Sequence, residues 1–184
     1  LFSRRRPRGV AGLITPWNFP FAIPTWKIMP ALVTGNTVVF KPASLTPETA
    51  ALVVRCFVDA GLPDGVLNVV HGDKTAVDAI LQHPDIKAVS FVGSSDIAHY
   101  IYSRGTANGK RVQAFGGAKN HGIVMPDADL DQVVNDLAGA AFGSAGERCM
   151  ALPVVVPVGD KTADALREKL IPAIEGLRVG VSTD

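Results

Sequence analysis

Cys149 sits in Phe142-Gly143-Ser144-Ala145-Gly146-Glu147-Arg148-Cys149-Met150, where the small residues leave a thiol room to meet a ligand. A thiolate is a strong nucleophile and Arg148 is an adjacent cation, so the segment suits addition of sulfur to an electrophilic carbon. Taken alone, a free cysteine is more often a small buried hydrophobe. Asn18, in Thr15-Pro16-Trp17-Asn18-Phe19-Pro20, follows an apolar run and offers an amide to a developing oxyanion, a contribution of about 3 kcal/mol. It could equally close an Asx-turn before Pro20. Phe91-Val92-Gly93-Ser94-Ser95 ends another apolar run with N–H groups and hydroxyls at a helix start, which suits a pyrophosphate or serves as an ordinary cap. Lys41 closes a third run, Val38-Val39-Phe40-Lys41.

These candidates lie at the ends of short β-rich runs: Val10 to Ile14, Thr37 to Phe40, Val66 to Val70, Ala88 to Val92 and Val112 to Phe115. Between them, Ala22 to Val33, Pro47 to Ala60, Thr75 to Leu81 and Ile97 to Arg104 space their apolar residues by three and four, as helices do. Strands alternating with helices of this length predict parallel crossover units in an open α/β sheet. Ligands gather at the carboxyl ends of such strands. Pro47 reads as a first-turn proline after a Thr46 cap, and Gly61-Leu62-Pro63-Asp64-Gly65 stops that helix. Past Gly116 to Asn120 a second series follows: a strand over Gly122 to Met125, a helix from Asp129 to about Ala141, a strand over Val154 to Val158 and a helix over Thr162 to Leu170.

Composition bounds the partners. Of 184 residues 47% are hydrophobic, enough for one full core or one domain and part of another. Eighteen basic against seventeen acidic side chains leave a net charge of +1, which gives no electrostatic case for nucleic acid or an anionic membrane. The basic cluster Arg4-Arg5-Arg6-Pro7-Arg8 reads as a solvated strand or loop end. Pro, Asn, Lys or Asp interrupts every apolar run before it reaches the roughly 18 residues of a membrane span. Cys56 and Cys149 form no CxxC or Cys/His cluster, so neither a metal site nor a disulfide is expected. Cys56 reads as a core residue of its helix. A reducing compartment fits, the cytoplasm first, with the mitochondrial matrix left open. The sequence starts without Met and stops at Val181-Ser182-Thr183-Asp184 with no helix stop, so it reads as an internal fragment.

The Thr15 to Pro20 and Phe91 to Ser95 segments, with Gly117, Lys119 and the Cys149 segment, in this order, resemble the aldehyde dehydrogenase superfamily over almost the whole chain. His83-Pro84-Asp85-Ile86-Lys87-Ala88, Gly109-Lys110-Arg111-Val112-Gln113-Ala114 and Gly117-Ala118-Lys119-Asn120-His121 are most similar to its methylmalonate-semialdehyde dehydrogenase branch, which is CoA-acylating. Gly12 to Pro47 is closer to the hydrolytic branches. The resemblance implies an open parallel Rossmann-like sheet with helices on both faces over residues 1–118, a cofactor-binding domain. The start of a second α/β catalytic domain follows over 119–184, both domains being incomplete. The usual GxGxxG fingerprint is absent, which argues against a common Rossmann dehydrogenase but not against this family, whose cofactor turn differs.

It further implies that Cys149 is the nucleophile and that Asn18, with the Cys backbone N–H, is the oxyanion donor. Thr15, Pro16, Trp17, Lys41, Ser44, Gly72, Gly93 and Ser94 fall at cofactor-binding positions, Lys41 at the adenosine ribose. Ser44 stands where the family often has a Glu that accepts from the ribose hydroxyls, so NADP should be tolerated beside NAD. Arg148 could pair with a substrate carboxylate, though Arg precedes Cys in other branches too. Phe115 takes the place of the Glu that activates water against the thioester in hydrolytic relatives. A phenyl ring accepts no proton, so general-base help worth roughly 100 to 10,000-fold is missing and CoA is expected to accept the acyl group. Glu147 is a surrogate base or a surface residue, and His121 a loop or packing residue rather than a base. The expected substrate is a small semialdehyde, methylmalonate or malonate semialdehyde, and the full-length enzyme a homo-oligomer. A hydrolytic semialdehyde dehydrogenase and an inactive cofactor-binding fragment are the alternatives.

Overall fold

The computed structural model describes residues 2–4 and 6–181. Arg5 of the basic cluster and the terminal Ser182-Thr183-Asp184 lie outside the described residues. The chain divides into two compact units, Leu1–Gly117 and Ala118–Asp184.

In the first unit, β1 (Val10–Ile14), β2 (Thr37–Lys41), β3 (Leu67–Val69), β4 (Ile86–Val92) and β5 (Arg111–Phe115) form one sheet of order β3-β2-β1-β4-β5. Every pair is parallel. Helices α1 (Ala22–Val33), α2 (Pro47–Asp59), α3 (Lys74–Gln82) and α4 (Ser95–Ala107) make the crossovers. This is the open parallel α/β sheet that the alternating runs predict, with the helices on both faces that the resemblance implies.

Strand side chains alternate between faces, and the two cores follow that period. Ala11, Leu13, Val38 and Phe40 pack with Ile28 of α1 and Ala50 and Val53 of α2. Ile14, Val89 and Phe91 face the other way, against Ile80 and Leu81 of α3 and Ala98 and Ile101 of α4. At Gly12 the packing closes on the backbone, since a Cβ there would lie 2.5 Å from Cγ2 of Ile80. Lys110 is buried, and its Nζ donates to the carbonyls of His83 (2.6 Å) and Ile86 (2.7 Å), tying the end of α3 to the start of β4. A buried ammonium persists only with such partners.

Two local readings change. Pro47 does open α2, but Thr46 makes no side-chain capping bond. Cys56 is exposed rather than core, because the buried side of α2 is set by Ala50, Val53, Val54 and Phe57 and Cys56 falls off that stripe.

The second unit holds β6 (His121–Val124) and β7 (Val154–Pro157), paired in parallel, with α5 (Leu130–Phe142) and α6 (Asp160–Glu175). Val124, Val134, Leu137 and Leu166 form its core. Asp129 caps α5 by accepting from the N–H groups of Asp131 and Gln132. Among the described residues no helix is long and apolar enough to cross a membrane.

Because α3 rides directly on Gly12, Gly12→Ala is expected to cost about 1–3 kcal/mol of stability, the usual cost of overfilling a packed core. Chemical denaturation of the wild type and the variant measures the difference.

Candidate active site

At the carboxyl ends of β1, β2 and β4, under α3 and α4, lies a cavity of about 460 Å³. Thr15, the residue after β1, lines it and is 4% exposed. Its N–H donates to the Lys41 carbonyl at 3.3 Å, whereas its Oγ1 is buried with no hydrogen-bond partner among the described residues. A buried hydroxyl without a partner is rare and costly unless a ligand completes it. Lys41 ends β2 on the same wall, buried, and desolvation pulls its pKa down while Asp73 opposes that shift.

Asp73 and Lys74, at the start of α3, form the rim. Asp73 caps the helix, accepting from Thr75 N at 2.9 Å, and those bonds hold its carboxyl below the usual range. Lys74 Nζ donates to Asp78 Oδ2 at 2.5 Å and to the Tyr100 hydroxyl of α4 at 2.8 Å, and that hydroxyl donates to Asp78 Oδ1 at 2.6 Å. Sequence reasoning missed this triad, because α3 and α4 come together only in the fold.

The other cofactor positions serve the walls indirectly. Gly72 precedes Asp73 with φ +147°, and a Cβ there would lie 2.8 Å from Ala76 Cβ. A Cβ on Gly93 would lie 2.4 Å from Cζ of Phe91, a wall residue, so the ring needs a glycine there. Ser94 is the N-cap residue of α4 but makes no side-chain cap bond. Its neighbour Ser95 accepts from Gly117 N at 3.1 Å, and a Cβ on Gly116 would meet Ser95 Cα at 2.9 Å. Ser44 is exposed and follows Ala43 of the wall. Pro16, Trp17 and Asn18 run on past the cavity toward α1, with Trp17 exposed and Asn18 half-buried.

The opposite face of the sheet carries a second polar group that the sequence did not disclose. Lys27 of α1 donates to Ser90 Oγ at 2.5 Å, and Ser90 donates to Gln113 Oε1 at 2.8 Å. The Lys27 ammonium lies 5.5 Å from the centre of the Phe115 ring, and burial pulls its pKa down to about 8. Phe115 is 53% exposed, so a polar replacement there would not open a closed cavity.

In the second unit, Cys149 is exposed in a turn after α5. Asn120, just before β6, donates through Nδ2 to the carbonyls of Cys149 and Ala151, each at 2.9 Å, and so fixes the turn. The approach to the cysteine is tight: Ser144 (φ 54°), Ala145 (φ 52°) and Gly146 (φ 74°) are all left-handed, and Glu147 N closes on Ser144 O at 3.0 Å. The Arg148 guanidinium packs on Gly143, where a Cβ would lie 2.8 Å from Nη2. His121 Nδ1 contacts the Lys119 carbonyl at 2.7 Å. Among the described residues no group of three or more His, Cys, Asp or Glu could hold a metal ion.

The sequence pattern of the aldehyde dehydrogenase family matches residues 1–184. The chain belongs to this family. It is 57% identical over 182 residues to a malonate-semialdehyde dehydrogenase of Pseudomonas aeruginosa, covering 99% of this chain and 37% of that protein. With a malonate-semialdehyde dehydrogenase of Geobacillus kaustophilus the identity is 55% over 176 residues, 96% of this chain and 36% of that one. The fold superposes with a TM-score of 0.94 on a protein of Sinorhizobium meliloti 1021, named as a methylmalonate-semialdehyde dehydrogenase and solved with NAD. That pair is 57% identical and covers 98% of this chain and 37% of the other. The chain thus spans little more than a third of the relatives it matches.

Asn120→Ala removes both bonds that hold the Cys149 turn and is expected to cost about 1–3 kcal/mol, two ordinary hydrogen bonds. Thermal unfolding, with alkylation of Cys149 as a local probe of the turn, measures it. A loss under a few tenths of a kcal/mol would mean the turn holds without Asn120.

Proposed function

We propose that the chain is part of an NAD(P)-dependent semialdehyde dehydrogenase in which its first unit binds the cofactor and its second begins the catalytic domain. The observation that carries the reading is the exposed Cys149 thiol, held by Asn120 in a turn whose sequence resembles the family's nucleophile segment. The cofactor fits the first unit through the Thr15 hydroxyl, which has no partner among the described residues, with Lys41 beside it on the wall of the 460 Å³ cavity. Thr15, Lys41 and the α3 rim would hold the adenosine end. NAD is the expected cofactor, with NADP accepted because Ser44 brings no negative charge.

In the proposed reaction the Cys149 thiolate forms a bond to the aldehyde carbon, and the carbonyl electron pair moves to oxygen. The family resemblance assigns Asn18 as the donor to that oxygen. The bound nicotinamide supplies a hydride acceptor, and departure of the hydride leaves an acyl group on Cys149 as a thioester. Phe115 offers no base to activate water, so CoA, having lost its thiol proton to solvent, attacks the acyl carbon as a thiolate. The new C–S bond forms as the bond to Cys149 breaks, and Cys149 leaves as thiolate. The names of the relatives favour malonate or methylmalonate semialdehyde as substrate, and Arg148 is suited to the carboxylate of either.

With CoA absent, the full-length enzyme should release a burst of reduced cofactor near one equivalent per site and then turn over slowly. Adding CoA should raise the steady rate and yield acyl-CoA. A fast CoA-independent steady state yielding free acid would overturn the CoA assignment, whereas dehydrogenase activity surviving in Cys149→Ala would overturn the nucleophile.

One observation favours a hydrolytic second reading: the Lys27 amine, beside Phe115, has its pKa lowered to about 8. The neutral amine, a competent base, forms as pH rises through 8. On this reading CoA-independent acid formation climbs through that range, and Lys27→Met removes the climb. A pH-rate profile identical in wild type and Lys27→Met rules this reading out.

A further inference from the structure

We infer that Lys74 is a specificity-determining residue for the cofactor, donating to a 2′-phosphate on the adenosine ribose. The inference rests on the reading that the cavity under α3 and α4 takes that adenosine. Lys74 lies on the cavity wall, and its ammonium is oriented by two partners, Asp78 Oδ2 at 2.5 Å and the Tyr100 hydroxyl at 2.8 Å. It also stands 4.6 Å from the centre of the Tyr100 ring. An ammonium has three N–H groups, so one remains for a ligand. Bonding to Asp78 and then to Tyr100 raises the Lys74 pKa, which keeps it charged at neutral pH.

The surroundings suit an added phosphate. Lys41 is a second cation on the same wall, and Ser44, one residue past the wall at Ala43, carries no carboxylate. The start of α3 adds its own positive end, and the buried Thr15 hydroxyl, which has no partner among the described residues, lines the same cavity. Asp73 is the counterweight: it lines the rim and remains ionised, since its Thr75 bonds depress its pKa. Asp78 is already committed to Lys74 and Tyr100. The triad is therefore more than a strut between helices. As an exposed ion pair it contributes little to stability, so its worth lies in aiming a charge.

The test is calorimetric titration of the full-length protein with adenosine 2′,5′-bisphosphate and with 5′-AMP, which differ only by the 2′-phosphate. Lys74→Met should weaken the bisphosphate about tenfold and 5′-AMP less than about twofold, the size of one hydrogen bond carried by one ligand alone. Lys74→Arg should retain most of the preference. Asp73→Asn keeps the cap, since Asn caps as well as Asp, and should tighten the bisphosphate alone. Tyr100→Phe, which frees the Lys74 ammonium on that side, should lose part of the same preference with unchanged far-ultraviolet circular dichroism. Equal losses on both ligands, or none on either, would overturn the role of Lys74. A wild type that binds neither ligand would instead overturn the cofactor cavity itself.

Discussion

Everything in the first unit depends on β1 being flanked by β2 on one side and β4 on the other. The chain walks outward from β1 to β2 and β3, then returns across β1 to β4 and β5. Right-handed crossovers put α1 and α2 on one face during the outward walk and α3 and α4 on the other after the return. Where the direction reverses, the helices diverge and cannot close over the carboxyl ends of the strands. The cavity with Thr15 and Lys41 opens there. Its position is a consequence of topology, and its chemistry comes from residues at the strand ends.

The two-residue period of the strands distributes different chemistry to the two faces. Phe91 turns toward α3 and α4 and walls the cavity, while Ser90, one residue earlier, turns toward α1 and receives the Lys27 ammonium. Ala114 and Phe115 divide in the same way. The desolvated amine and the cavity therefore do not compete for space. Small residues hold the tight seams: Gly12 under α3, Gly93 against Phe91, and Gly116 against Ser95.

Most of the fold was legible because periodicity is local. Runs such as Val10 to Ile14 and Thr37 to Phe40 pair with their neighbours in the parallel register that alternation with helices implies. Capping and burial within a helix were less so. Thr46 has the chemistry of a cap without making the bond, and Cys56 is apolar yet lies off the packed stripe of α2. At the candidate site, Cys149 stands out because it sits among small residues, whereas the family resemblance singles out Thr15 and Lys41, and the fold shows only that both line one cavity. Lys27, Asn120 and the Lys74–Asp78–Tyr100 group could not be read, since each draws its meaning from a partner distant in sequence or on another helix. A lysine in a helix pattern gives no sign that it will face a serine on β4.

The turn before Cys149 has a consequence for sequence drift. Ser144 and Ala145 adopt the backbone region that is natural to mirror-image amino acids, at a cost of roughly 1–2 kcal/mol for each L-residue. A D-alanine placed at 145 by chemical ligation would relax the backbone without altering its path. Among genetically encoded residues, glycine and asparagine can follow that path easily, whereas valine, isoleucine and threonine cannot. The stretch leading to the thiol is thus narrowed to a few small residues by chirality, independently of any contact with substrate.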